Sequence, residues 1–419
     1  MNPTLRVGFM FMRQPRGTQS SPATAENLAQ PVIAGIVTAL VGFTSSFAVV
    51  LAGLQSVGAS PAQAASGLLA LTLVFGVGVL WLSWRSRAPV TLAWSTPGAA
   101  LLAGSAALTA GWPAAVGAFI AVGFLIVLTG LIPALGRLLT RIPDSLAQAM
   151  LAGVLLPLCL APIQALGTVP LLVAPVIACW LVMMRFAPRW SVPAALLVAL
   201  AVIGISLALA GTPVRTGTLL PALVWTTPAF SPQALVGIAI PLFIVTMASQ
   251  NIPGVAVMTS FGYPTPWRPA MLVTGVGTAL AAPFGGHAIN LAALSAALSA
   301  GPEAGHDRSR RWIAAFTSGL AYLVLAAFSA ALVTLVSAAP QGMLETVAGL
   351  ALLGTLAAAI SAALERVEDR IPAAITFLVA ASGLAFAGIA AAFWALLAGL
   401  LVRSVLRRRK EPVDPAATV

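Results

Sequence analysis

Few side chains in this sequence are placed to do chemistry away from water. His287 stands inside the apolar run AAPFGGHAINLAALSAAL (281–298), and Asn290 follows three residues later. That spacing puts both on one face if the segment is helical. Gln250 and Asn251 interrupt a second apolar run, and Ser45 and Ser46 a third. In lipid, such amides and hydroxyls need polar partners or a polar ligand, and an embedded histidine reads as a functional group able to carry a proton. Asp144, Glu303, Asp307, Glu345, Glu365, Glu368 and Asp369 all fall in loops or at segment ends, so no carboxylate is expected at mid-membrane depth. This set suits anion binding and proton movement. It offers no nucleophile–base pair, cofactor loop or metal-ligand cluster, so no catalytic residue, cofactor or metal is expected. Cys159 and Cys179 sit in apolar runs and read as small buried hydrophobes.

Two interrupted segments are positioned to organise these groups. In APVTLAWSTPGAALLAG (88–104), Pro89–Trp94 has extended character, and a helix is expected to start with Ser95 or Thr96 as N-cap and Pro97 in the first turn. In the second, Pro283, Gly285 and Gly286 break the chain, and a helix is expected to begin near His287. The sequence thus predicts two half-helices whose N-termini meet near the bilayer centre, around Thr96 and Gly98 on one side and Gly286 and His287 on the other. Free N–H groups and aligned dipoles there form an anion site without a basic side chain.

Composition sets the surroundings. The chain has 419 residues, 60% hydrophobic and 7% charged, against about 25% charged in soluble domains. The apolar runs are continuous rather than alternating, which predicts an all-α polytopic membrane protein and not an outer-membrane barrel. Fourteen segments are expected, near 31–53, 63–83, 89–107, 113–134, 144–162, 168–184, 190–211, 232–257, 267–282, 285–300, 311–336, 343–363, 371–384 and 386–403. With both termini cytoplasmic, Arg85, Arg87, Arg137, Arg141, Arg185, Arg189, Arg268, Arg308, Arg310, Arg311, Arg366, Arg370 and the cluster Arg407–Lys410 all fall inside, and only Arg215 falls outside. The net charge of +11 therefore reflects topology and lipid headgroups, and no nucleic-acid partner is expected. The only apolar run of the first thirty residues, Val7–Met12, is too short for a signal peptide, and none is expected. Residues 1–30 and 404–419 read as cytoplasmic tails, and 212–231 as a periplasmic loop. GFTSSFAVVLAGLQSVGASP and VTMASQNIPGVAVMTSFGYP share a small-polar pair, Ser45–Ser46 and Ser249–Gln250, thirteen residues before a turn glycine, Gly58 and Gly262. Seven segments per half makes the second half inverted, an arrangement common in transporters.

The stretches PVIAGIVTALVGFTSSFAVVLAGLQSVGAS, SQNIPGVAVMTSFGY, APFGGHAINLAALSAAL with GPEA, and AGLALLGTL resemble the benzoate/proton symporter family, BenE, over roughly 30–403. The resemblance implies the fold of the uracil and SulP anion transporters: two inverted seven-segment repeats, 31–211 and 232–403. Core segments would be 31–134 and 232–336, and gate segments 144–211 and 343–403, with transport by movement of core against gate. Nucleobase members of that fold use glutamates on segments 8 and 10; here those regions carry Gln250, Asn251, His287 and Asn290, which suits an anionic substrate. The expected function is uptake of benzoate or a related aromatic carboxylate with protons across the bacterial inner membrane; a nucleobase or inorganic-anion transporter is the alternative. Ser45, Ser46, Thr96, Gly98, Gln250, Asn251, Gly286, His287 and Asn290 are the expected substrate-binding residues, with His287 also coupling protons. Phe43, Phe47, Trp94, Phe243 or Phe284 are candidates for the ring. The implied partners are the anion, the proton and membrane lipid, with a homodimer possible.

Overall fold

The computed structural model describes residues 28–104, 111–132, 134–135, 143–209, 222–384, 386–387 and 389–406. The expectations for residues 1–27, Arg137, Arg141, Arg215 and the cluster Arg407–Lys410 lie outside them. The first half comprises α1 (Ala29–Ser56), α2 (Pro61–Ser86), β1 (Leu92–Trp94), α3 (Thr96–Ala103), α4 (Gly111–Leu131), α5 (Asp144–Thr168), α6 (Pro170–Phe186) and α7 (Ser191–Leu209). The second half comprises α8 (Pro232–Ser260), α9 (Trp267–Ala281), β2 (Ile289–Leu291) and α10 (Ala293–Ala300). It continues with α11 (Trp312–Ala326), α12 (Ser329–Ser337), α13 (Met343–Leu364), α14 (Arg370–Ala381) and α15 (Ala391–Leu406). Each of the fourteen expected segments has a counterpart, with α11 and α12 forming one span bent by 54°.

Local chemistry explains the boundaries that matter. Ser60 and Gln63 form a reciprocal capping box at the start of α2, with Pro61 in its first turn. In α8, two wide π-turns, Leu235–Ala239 and Met247–Asn251, each end two residues before a proline, Pro241 and Pro253. Proline lacks the N–H for the normal helical bond and crowds the carbonyl one turn back, and a widened turn relieves both. Gly285 takes φ +93°, a left-handed conformation that a side chain would strain, and reverses the chain between α9 and β2.

Three expectations change. The second half-helix begins at Ala293, not near His287, because residues 288–292 are drawn into an extended pairing with β1. His287 and Asn290 therefore do not share a helical face. The last span starts at Ala391, since Phe386 and Ile389 form an isolated bridge instead of a helical turn.

The helices pack in two groups. α1–α4 and α8–α12 contact chiefly one another, as do α5–α7 with α13–α15. The groups meet where α1 touches α7 and α13, and where α3 touches α5. Phe47 and Ala48 lie there against Leu196, Ala199, Leu344 and Val347, an apolar seam with no hydrogen-bonding side chain.

The second group is tied at one end by charge. In the connection between α13 and α14, Asp369 is buried, receives Ser145 Oγ at 2.9 Å and pairs with Arg403 Nε at 2.6 Å. Burial would raise the Asp369 carboxyl, but the bonds from Arg403 and Ser145 outweigh it and hold it below the usual carboxylate range. A depressed folded-state value gives stability that is present above the unfolded-state range and is lost as pH falls through the folded value. Asp369→Asn should lower the thermal unfolding midpoint in detergent, at a cost of about 2–3 kcal/mol, below that of a fully buried pair because Arg403 is 20% exposed. The gap between variant and wild type should close as pH is taken below about 3.9.

Candidate functional site

The two interrupted segments cross at the centre of the first group. β1 and β2 run antiparallel with Ala93 opposite Asn290. Ser95 N–H donates to Ala288 O (2.8 Å) and Ala292 N–H to Thr91 O (3.0 Å), which extends the pairing by one residue at each end. The outward N–H groups of β2 are taken by side chains: Ile289 by Thr278 Oγ1 at 2.9 Å, and Leu291 by Asn251 Oδ1 at 2.8 Å. α3 and α10 each begin three residues past the central pair and leave in opposite directions. Their first residues, Thr96 and Ala293, are six positions apart along the ladder, roughly 20 Å at the extended rise. The N-termini therefore flank the crossing and do not meet; both dipoles point towards it, but one carboxylate cannot touch both.

The two helix starts are finished differently. Ser95 caps α3: its Oγ accepts Gly98 N–H at 3.1 Å and the Thr246 hydroxyl at 2.9 Å. Thr96 is half-buried beside it, and Gly98 is buried. At α10 the N-cap is Ala292, which has no side-chain acceptor to offer.

The sequence-predicted residues divide accordingly. Asn251 and Asn290 are fully buried and braced into the crossing. Asn251 holds Leu291 and touches Met247 Sδ (3.1 Å), while the Asn290 amide fits with its nitrogen donating to Leu291 O (2.8 Å) and its oxygen accepting from Ser95 N–H (3.1 Å). Gly286 is buried and its N–H donates to Ala281 O. Ser46 bonds back to Gly42 O. Ser45 and Gln250 are half-buried, and neither side chain hydrogen-bonds to another described residue. α1 packs Gly42 on Ser295 of α10 and Gly53 on Ala99 of α3, so Ser45 lies where α1 passes from one half-helix to the other. His287 is fully buried, edge-on to Phe119 of α4 at 6.5 Å, with Nδ1 3.1 Å from Ala288 O and Nε2 without a partner among the described residues. Phe43, Phe47 and Trp94 are core aromatics, with Phe43 and Trp94 5.2 Å apart. Phe284 packs on Trp225 at 5.4 Å, away from the half-helix starts, and Phe243 of α8 is half-buried.

Residues 26–405 match the sequence profile of BenE, described as benzoate membrane transport protein. The chain belongs to this family. It is 39% identical over 369 residues to the inner membrane protein YdcO of Escherichia coli K12, covering 88% of this chain and 93% of that one. It is 31% identical over 379 residues to the benzoate membrane transport protein of Acinetobacter baylyi, covering 90% and 95%. The fold is similar to the transmembrane domain of the cyanobacterial bicarbonate transporter BicA, with TM-score 0.59, 16% identity, and coverage of 89% and 97%. It is also similar to murine solute carrier 26 family member A9, an anion transporter in the inward-facing state, with TM-score 0.54, 12% identity, and coverage of 97% and 76%. As a BenE member with fourteen segments in two inverted repeats, this chain is a membrane transporter and not an enzyme.

Ser295 and Tyr322, which the structure brings beside the α10 start, carry no marking pattern in the sequence. A hydroxyl in an apolar run is their only signal, and many such hydroxyls merely bond back to their own helix, as Thr72 and Thr274 do. Asn251→Ala should leave the Leu291 N–H without an acceptor in a dry site. We expect a cost of about 1–3 kcal/mol, seen as a lower unfolding midpoint with and without substrate, and not a loss of ligand-induced stabilisation alone.

Proposed function

We propose that this chain is a secondary active transporter that brings benzoate or a related small aromatic carboxylate, together with protons, into the cell across the inner membrane. The observation that carries this reading is the crossing: two half-helix N-termini aimed at one buried region, with Ser45 on the helix that passes both, Gln250 beside the Asn251 that braces β2, and no carboxylate among the described residues in contact with it. A negative potential would repel an anion, whereas oriented N–H dipoles and amide donors replace the water it sheds. The names of the family and of the Acinetobacter relative support an aromatic acid as that anion.

The distribution of arginines supports a cytoplasmic position for both termini. On that orientation a cleft of about 490 Å³, lined by Ile33, Val37, Arg189, Leu298 and Glu303, opens inward along α1 and α10. Arg189, just before α7, pairs with Glu303, just after α10, at 2.6 Å across this cleft. Both side chains are at least half exposed, so the pair is weak enough to break in every cycle. The apolar seam at Phe47 and Val347 suits sliding of the α1–α4/α8–α12 group against the other. Proton carriage falls to His287, next to Ala288 of the crossing, whose Nε2 has no partner among the described residues. A proton there and an anion at the crossing attract each other, so each raises the affinity for the other.

In proteoliposomes, labelled benzoate should accumulate under an inward proton gradient and only equilibrate without one. Gln250→Ala should weaken benzoate affinity by about ten-fold, the worth of one hydrogen bond to a charged group. His287→Gln should abolish gradient-driven accumulation while preserving exchange at equal pH. Accumulation at wild-type level in that variant would remove His287 from the coupling role.

A further inference from the structure

The break between α9 and β2 leaves carbonyls that no continuing helix serves, and donors from outside the break close them. Residues 222–231, the described part of the connection from α7 to α8, run without helix or strand across the starts of α2 and α4. Thr226 N–H donates to Pro283 O at 2.7 Å. Ser66 of α2 donates to Phe284 O at 2.7 Å and accepts Val224 N–H at 2.8 Å. Ala229 N–H donates to Pro113 O of α4 at 2.9 Å. These bonds already fasten the segment, yet it also buries one side chain. Thr226 alone among residues 222–231 is buried. Its hydroxyl accepts Trp112 Nε1–H at 3.0 Å and, at the limit of reach, Gln63 Nε2–H at 3.5 Å.

Thr226 is linked to His287 along two routes. Trp112 stands edge-on to Phe119 with ring centroids 6.1 Å apart, and Phe119 stands edge-on to the imidazole at 6.5 Å. The second route is the backbone: Pro283, held by the Thr226 N–H, is four residues before His287, and a Cβ on Gly285 between them would come within 3.2 Å of the Trp112 ring. Among the described residues, no hydrogen bond from another element fixes the imidazole. Nε2 has no partner, and Nδ1 meets only the carbonyl of the next residue, Ala288. A ring without such a bond takes its orientation from what packs on it, and a working site must be held to within about 0.5 Å by the shell around it. We infer that Thr226 is a positioning residue for His287, fixing the Phe119 wall through Trp112 and the turn before the histidine through Pro283. The inference rests on the reading of His287 as the proton carrier and adds the part of the fold that keeps it in place.

Thr226→Val keeps the side-chain shape and the backbone bond to Pro283 but removes the oxygen that holds Trp112; Thr226→Ser retains that oxygen. The chain has two histidines, His287 and His306. In histidine-labelled protein the imidazole resonances of His287 are therefore identified by their absence in His287→Gln. They should move in Thr226→Val and stay in Thr226→Ser. In proteoliposomes under an inward proton gradient, Thr226→Val should accumulate labelled benzoate about ten-fold less than wild type, the worth of one hydrogen bond, while exchange at equal pH stays within about two-fold. Thr226→Ser should match wild type in both. Three results would overturn the inference: unmoved resonances in Thr226→Val, wild-type accumulation in that variant while His287→Gln loses it, or an equal loss of accumulation and exchange. Wild-type accumulation in His287→Gln would instead remove the coupling role of His287. Resonances that move in Thr226→Val would even then show that Thr226 positions the ring, and resonances that do not move would overturn both.

Discussion

A broken helix in lipid has no water to satisfy its loose backbone groups, and every other feature of this site follows from how that debt is met. The two interrupted segments solve it jointly. Each supplies a short strand, the strands pair with each other, and the outward N–H groups of β2 that remain are taken by Thr278 and Asn251. The pairing is possible only because the repeats are inverted, so that the two strands arrive antiparallel from opposite sides. Polar side chains that look like ligand-binding groups in the sequence are thereby committed to structure.

Such a crossing concentrates electrostatics without formal charge. Two helix dipoles converge on a region of low dielectric, where a partial charge acts over a longer distance than in water. Their contributions are long-ranged and add, whereas contact is local and can be made at one end only. The two starts differ in kind: α3 is capped by Ser95, which also holds the Thr246 hydroxyl, whereas α10, with Ala292 at its N-cap, has no side-chain cap.

The contacts between the two helix groups differ in kind from those within them. Within the first group, glycines such as Gly35 and Gly123 bring helix backbones together more closely than any side chain would permit, and within the second group Asp369 is locked by Ser145 and Arg403. Between the groups, the described residues show an apolar seam, the close approach of Gly237 to Ile389 and Ala390, and the half-exposed ion pair Arg189–Glu303. Strong, directional interactions hold each group rigid, while weak or non-directional ones join them. This is the distribution that the proposed motion of one group against the other requires.

The sequence alone determined the class of protein, the number of spans, the inverted halves and the first half-helix, with its cap at Ser95 or Thr96. Those features rest on hydropathy, charge placement and local capping chemistry, which act over a few neighbouring residues. It also singled out His287, Gln250, Asn251 and Asn290, because amides and a histidine are conspicuous in apolar runs. What it could not decide was which of them are free. A glycine-rich break followed by an apolar run reads as a helix start at His287, and only pairing with a strand nearly two hundred residues away keeps residues 288–292 extended. That single long-range contact takes His287 and Asn290 off a shared helical face, engages Asn251 and Asn290 in bracing, and moves the helix start to Ala293. Tyr322 acquires its position beside Ser295 only from the packing of α11 on α1 and α2, a long-range contact that no local pattern in the sequence announces.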